Sequence, residues 1–308
     1  MKLNILFIGS ALLCGLFAAE LPYPENKVLA LQICLDRRGF SSNTLDGQFG
    51  KKTIVAMATY CAVKGIPCPY LGIKDRAVDI LFPGERDLFT TVIVSQADHD
   101  ALVAIPKAPE GKAALAAMGY QTIQEMFAER GHLSETCLRK LNRHARWPNP
   151  PVGTVLQIPF FPLPPKKRGE PPILADVLRV SLSRLEITAF DKNGQMIALL
   201  PCSIAAEKAK RPPAGELQVA TLIPKPNYTY TPDHAVGRVK KLIFPPGPNN
   251  PVGSAWIGLT LPTYGIHGTP YPEQIGRAES HGCFRLANWN AVRLRELCDI
   301  GTSVVVEQ

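Results

Sequence analysis

A proline-dense stretch, PFFPLPPKKRGEPP at residues 159–172, divides the chain into two parts that follow different rules. Proline fixes φ and lacks a backbone N–H, so neither a helix interior nor a central strand can run through such a segment. With Lys166, Lys167 and Arg168 in its middle the stretch is stiff, polar and exposed, and 161–172 reads as an interdomain linker. Before it, apolar residues recur at helical spacing; after it, they alternate with period two. The 308 residues, 46% of them hydrophobic, suffice for two or three folded units and are too apolar for a disordered chain. No repeating period marks a solenoid or propeller.

The first residues set the compartment. Lys2 precedes an apolar run over 5–17, and the small Ala18 and Ala19 precede Glu20, the pattern of a signal peptide at 1–19. The run is too short to span a bilayer, and no other stretch reads as transmembrane. Cys14 lacks the small preceding residues of a lipid-attachment site. The mature chain is therefore expected to be exported to the periplasm or cell envelope without a stable membrane span. A net charge of +8 suits an anionic partner. Export removes nucleic acid from the candidates and leaves a wall polymer or an acidic membrane surface. Seven cysteines follow Cys14, an odd count that leaves at least one thiol unpaired in an oxidising compartment.

Residues 28–66 read as two short helices around a turn. Val28, Leu31, Gln32 and Leu35 sit at helical spacing, Gly39 ends the first helix, Asp46-Gly47 and Gly50 mark a loop, and a helical pattern resumes over 53–63. With its leading Leu-Gln, its Asp-Gly-x-Phe-Gly turn and the following Thr53, this segment resembles the three-helix peptidoglycan-binding domain, which sets a helical unit at 25–70. Cys34 is a candidate to pair with Cys61 or Cys68 there. Residues 119–142, followed by Gly153-Thr154 and a closing Leu-x-Ile-Pro, resemble a LysM-like module, an α+β unit at 115–160.

Beyond the linker, Leu178, Val180 and Leu182 alternate with other residues, 185–190 and 196–204 continue as strands, and Asp191-Lys192-Asn193-Gly194 forms a hairpin turn. A late helix is expected from Asn288, as its cap, to Asp299, with Gly301 as the stop and a last strand at 304–306. The domain over 173–308 is thus mainly β with one late helix.

The chemistry is concentrated at 264–286, YGIHGTPYPEQIGRAESHGCFRL, where His267, His281 and Cys283 lie among glycines. A thiol becomes a useful nucleophile when an imidazole takes its proton, and glycines beside it let backbone N–H groups approach a developing oxyanion. His267 lies too far upstream to be a helical neighbour of Cys283, so it must return from another strand or loop. Zinc ligation by the two histidines and Cys283 lacks a clear fourth ligand, and a half-cystine would not need the glycines. His99, His132, His144 and His234 sit in no constellation and are expected to be solvated.

The run over 253–286, a His-Gly followed by Ser-His-Gly-Cys-x-Arg, resembles the signature of YkuD-like L,D-transpeptidases. The Pro213-Ala214-Gly215 turn, the segment Pro226-Asn227-Tyr228 and a closing Gly-Thr-x-Val at 301–304 support it. The resemblance implies a YkuD-like β-sandwich with Cys283 as nucleophile, His267 as its base and the Gly268 carbonyl orienting the imidazole. It places the oxyanion hole at the N–H groups of His281, Gly282 and Cys283. Arg285 either holds a substrate carboxylate or braces the loop, and Tyr264 and Ser280 are candidates for the substrate pocket. It implies no metal and no cofactor. Phe284 stands where family members commonly carry an aliphatic residue, and Cys202 and Cys298 are extra thiols that would silence the site if either paired with Cys283.

The reading that results is an exported cell-wall enzyme that attacks the tetrapeptide stems of peptidoglycan through a thioester. The acyl group passes to an amine, giving a 3→3 cross-link with a consequence for cell shape, or anchoring an envelope protein. The rivals are an L,D-carboxypeptidase or peptidoglycan hydrolase using the same residues, and a catalytically silent wall-binding protein. The amino-terminal units are expected to tether the enzyme to the sacculus without shaping the active site.

Overall fold

One buried glutamine explains the loop of the first unit. Gln32, buried in helix α1 (Lys27–Arg37), accepts from the Asp46 and Gly47 backbone N–H groups at 3.1 and 2.9 Å and donates to the Asp46 carboxylate and the Thr53 hydroxyl at 2.9 and 3.0 Å. One amide thereby ties the Asp-Gly turn to both α1 and α2 (Lys51–Lys64). Asn26 caps α1, its side-chain oxygen accepting from Val28 and Leu29, and α2 stops at Gly65 with φ 63°. The computed structural model describes residues 26–69, 76–162, 173–232, 241–280 and 282–308. Residues 1–19, expected to be a signal peptide, most of the proline-rich stretch, His234 and His281 lie outside the described residues.

Helix α3 (Ala77–Leu81) follows, then β1 (Phe89–Ile93), α4 (Gln96–Asp100), α5 (Pro109–Ala113), α6 (Ile123–Arg130), α7 (Glu135–Leu141) and β2 (Val155–Pro159), which pairs antiparallel with β1. Thr122 and Ser134 cap α6 and α7 through their side-chain oxygens. The helices and closing strand expected over 115–160 are present, with an opening strand further upstream. Leu31, Leu35 and Met57 share one apolar core with Phe127, Leu138 and Leu156, so the described helices and strands before residue 160 pack around one core. Cys34 is a free thiol, and Cys61 is hydrogen-bonded to Cys68 instead.

The second half supplies β3 (Val177–Ser181), β4 (Glu186–Phe190), β5 (Met196–Pro201), β6 (Ile204–Ala205), β7 (Gly215–Pro224), β8 (Tyr228–Tyr230), β9 (Leu242–Phe244), β10 (Ala255–Leu259), β11 (Gly265–His267), β12 (Ala278–Ser280), β13 (Phe284–Arg285), α8 (Asn288–Leu297) and β14 (Ser303–Glu307). Among the described residues eight strands form one sheet in the order β13-β11-β10-β7-β14-β3-β4-β5. Its pivot is β7, whose first half pairs with β14 and whose second half pairs with β10. The sheet curls there, so that Leu178, Ile187 and Val304 share a core with Ile257, Ile266 and Phe284, with Ala291 and Leu294 of α8 packed against them. The fold is mainly β with a late helix. Asn288, expected as that helix's cap, does not cap it. Ala287 takes the cap position, and the Asn288 side chain bonds to distant partners instead.

The two halves are joined along a broad polar and apolar seam. Ser41 N–H donates to the Leu199 carbonyl and Leu199 N–H to the Gly39 carbonyl, both at 2.9 Å, so the loop after α1 covers the open edge of β5. Asn290 in α8 donates to Ser41 at 3.0 Å, Asn43 donates to the Pro272 carbonyl at 2.6 Å, and Met118 exchanges backbone bonds with Pro246 and Asn249. Leu199 belongs to the core of the first half. The loose tether expected from the linker is therefore replaced by direct packing, because the bare strand edge and the buried asparagines need the other half to satisfy them. Among the described residues no helix is long and apolar enough to cross a membrane.

Candidate active site

The β10–β11 hairpin places Trp256 directly opposite His267, and β13 runs parallel to β11 with Arg285 beside His267. This register answers how an imidazole sixteen positions upstream reaches Cys283: Phe284 pairs with Ile266, so Cys283 is level with Gly265, and His267, two residues further along β11, faces the same side of the sheet. His267 is 5% exposed, and its ring stacks on Trp256 with centroids 5.6 Å apart and planes 16° apart.

The His267 Nδ1 lies 2.6 Å from the Gly268 carbonyl oxygen. A carbonyl only accepts, so Nδ1 carries the proton and Nε2 keeps its lone pair. Burial pulls the imidazole pKa down to about 4, with Arg285 acting in the same direction and the Gly268 bond opposing both. Burial also raises the Cys283 thiol, offset by a backbone bond at Gly265 and by Arg285. At neutral pH the resting pair is thus thiol and neutral imidazole rather than a preformed ion pair. The half-buried Cys283 Sγ donates to the Thr263 carbonyl at 3.5 Å.

Gly282 has φ 156°, a conformation unfavourable for a residue with a Cβ. The resulting turn brings the backbone before Cys283 to the cleft wall. That cleft, about 570 Å³, is lined by His267, Gly282, Cys283, Arg285 and Tyr264 together with Trp256, Lys210, Ile223 and Tyr228. Tyr264 donates its hydroxyl to the Lys210 carbonyl at 3.2 Å, tying the wall to the loop after β6. Arg285 makes no ion pair among the described residues. Its backbone exchanges hydrogen bonds with Ser203 at 2.9 Å in both directions, so the strand is braced through the main chain. The backbone of Ser280 pairs with Ala205 at the start of the same turn. A depression of similar size, about 550 Å³, near Asp176, Arg179 and Lys192 holds neither histidine nor cysteine.

The structure brings Cys283, His267, Gly268, Gly282, Arg285 and Tyr264 together. Cys202 and Cys298 are buried in the core of the second half as free thiols, so neither pairs with Cys283. Sequence reasoning missed the Trp256 stack and Lys210, and it named Tyr228 only within a segment that supports the family resemblance, not as a wall of the site. Trp256 was accessible in principle, since alternation along a hairpin sets which residue faces His267. Lys210 arrives from a loop with no local signal.

The family of L,D-transpeptidase catalytic domains named YkuD matches residues 175–306. A putative L,D-transpeptidase in the ATP synthase subunits region of Fuscovulum blasticum is 31% identical over 140 residues, covering 45% of this chain and 70% of that protein. The putative L,D-transpeptidase YkuD of Bacillus licheniformis is 41% identical over 61 residues, covering 20% of this chain and only 37% of its own length. Among solved structures, L,D-transpeptidase 3 of Mycobacterium tuberculosis with a faropenem-derived adduct is 18% identical, with a TM-score of 0.36 over 44% of this chain and 60% of that one.

Proposed function

From the premise that the chain belongs to the YkuD family of L,D-transpeptidases, we propose that it is an exported acyltransferase acting on peptidoglycan tetrapeptide stems through a Cys283 thioester. One observation carries the reading: an Nδ1-protonated His267, held on the Gly268 carbonyl, shares a cleft with the half-buried Cys283 thiol.

In this mechanism His267 Nε2 takes the Cys283 proton as Sγ attacks the carbonyl carbon of the third, L-centred residue of the stem. The backbone N–H groups of His281, Gly282 and Cys283 receive the oxyanion. Collapse breaks the C–N bond, His267 returns the proton to the departing amine of D-alanine, and a thioester remains. An acceptor amine then attacks the thioester carbon, His267 takes its proton, the C–S bond breaks, and His267 passes that proton to the leaving Sγ to restore the thiol. Arg285, which has no acid partner among the described residues, is read as holding a stem carboxylate, Tyr264 lines the same cleft, and Ser280 remains a candidate for the substrate pocket. The helical and α+β units before residue 160 offer the wall-binding surface, raising the local concentration of the polymer.

The test is incubation of the full chain with purified tetrapeptide muropeptides, with and without an amine acceptor, followed by mass spectrometry. Loss of D-alanine with a cross-linked dimer supports transfer, and loss of D-alanine alone assigns a carboxypeptidase. No change in the muropeptides would sink the reading. Co-sedimentation with sacculi in rising salt tests the wall contact: screening weakens the part due to the +8 charge and leaves shape-specific contacts.

A further inference from the structure

We propose that Glu129, in the first half of the chain, is a positioning residue for the acyl-transfer site, acting through Asn288 on the Gly268 peptide that holds His267. The proposal rests on the reading of His267 as the base.

Asn288 is 1% exposed and both polar atoms of its amide have partners. Its Nδ2 donates to Glu129 Oε2 at 2.9 Å and to the Pro248 carbonyl at 3.0 Å, and its Oδ1 accepts from Ser254 N–H at 3.0 Å. The other Glu129 oxygen accepts from the Tyr120 hydroxyl at 3.0 Å. This amide therefore sits between the two halves with its direction fixed from both sides.

What it presses against is the catalytic peptide. A Cβ at Gly268 would lie 2.3 Å from Asn288 Oδ1, and a Cβ at Gly253 would lie 2.1 Å from the same atom and 2.5 Å from the Gly268 carbonyl carbon. Gly253 has φ 63°. The two glycines thus exist as bare backbone so that the Asn288 amide can touch both. Gly268 N–H donates to the Ala255 carbonyl at 3.1 Å, and its own carbonyl takes the His267 proton bond at 2.6 Å. The Gly268 peptide is held on one side by β10 and on another by Asn288, and its remaining polar atom sets the imidazole tautomer. Freeing Asn288 lets that carbonyl swing, and a base misplaced by about 1 Å costs rate far more than it costs binding.

Burial raises the Glu129 carboxyl to about 7, with the Asn288 and Tyr120 hydrogen bonds opposing. The neutral amide Glu129→Gln keeps an oxygen for Asn288 and so serves as the conservative replacement.

The experiment measures acylation of the full chain by imipenem, giving the maximal rate and the half-saturating concentration, together with ¹⁵N shifts of the histidine rings. In Glu129→Ala the maximal rate falls about tenfold, the half-saturating concentration holds, and the His267 signals show both neutral tautomers. Glu129→Gln restores the rate and the single tautomer. Asn290→Ala breaks the Ser41 bond of the same seam without touching Gly268 and keeps both. If Glu129→Ala does not fold, Tyr120→Phe, which frees one Glu129 oxygen, carries the test with a smaller loss of rate and the same tautomer mixing. A wild-type rate and one tautomer in the folded variant, while His267→Ala is inactive, overturns the proposal and leaves the base reading standing. A fully active His267→Ala overturns the base reading itself.

Discussion

Two histidines in this chain share most of their surroundings and differ in one. His267 and His132 are each largely buried, each has Nδ1 tied to an oxygen (the Gly268 carbonyl at 2.6 Å, the Asp36 carboxylate at 2.7 Å), and each stacks on an indole, Trp256 or Trp289. The second face of His132 is covered by Phe161 at 4.0 Å, whereas His267 borders a cleft that also contains Cys283. Burial and an oriented Nδ1 are therefore common to both, and what sets His267 apart is the cleft it shares with the Cys283 thiol. His132 was expected to be solvated; it instead pins the seam between the halves, with Asp36 fully buried beneath it and Arg293 3.7 Å from that carboxylate.

The charges differ as well. Burial works against the Asp36 carboxylate, but Arg293 and His132 outweigh it and its pKa is lowered, so Asp36 is ionised. Burial and Arg293 hold His132 below its ordinary value despite Asp36. At Asp36 the seam thus holds an ionised carboxylate answered by the Arg293 guanidinium, while the cleft contains a neutral pair.

The sharpest way to break this contrast is Cys283→Ala, which removes every imipenem adduct seen by intact-mass spectrometry while the thermal midpoint holds. An adduct that survives would show another thiol at work. His267→Ala lowers the acylation rate by about 10²- to 10⁴-fold, whereas His132→Ala lowers stability and leaves the rate per folded molecule near wild type. Next is Arg293→Ala, which leaves the buried Asp36 uncompensated and costs about 3–5 kcal/mol in urea unfolding, again without a catalytic signature in the folded fraction.

The pH dependence sharpens the same comparison. His267 titrates at about 4 in the fold against 6.5 ordinarily, so the acylation plateau extends below pH 6 and breaks near 4. As pH falls from 6.5 to 4 the unfolded chain takes up a proton that the folded site refuses, and stability drops by about 3 kcal/mol from this group alone. Glu129 has the opposite sign: its folded value of about 7 exceeds the ordinary 4.5, so its contribution is complete below 4.5 and lost as pH rises through 7. Comparing His267→Gln with wild type isolates the first effect. The smallest change is Tyr264→Phe, which loses one exposed hydrogen bond to the Lys210 carbonyl and costs about 1 kcal/mol or less, read as an acylation rate within about threefold of wild type.

Much of this molecule was legible before folding was considered. The Asn193-Gly194 hairpin, the helix over 27–37 with its stop at Gly39, and the motif around Cys283 are written in neighbours a few positions apart, where backbone sterics and periodicity act directly. His267 and Cys283 were readable because glycines crowd both turns. What only the tertiary structure decided lies between residues far apart in sequence: that His132 is buried against Trp289, that residues 39–41 cover the edge of β5, and that Asn288 crosses to Glu129 instead of capping its own helix. The physical reason is the same in each case. A buried polar group or an open strand edge must find a partner, and local sequence announces the need without naming the residue, a hundred or more positions away, that meets it.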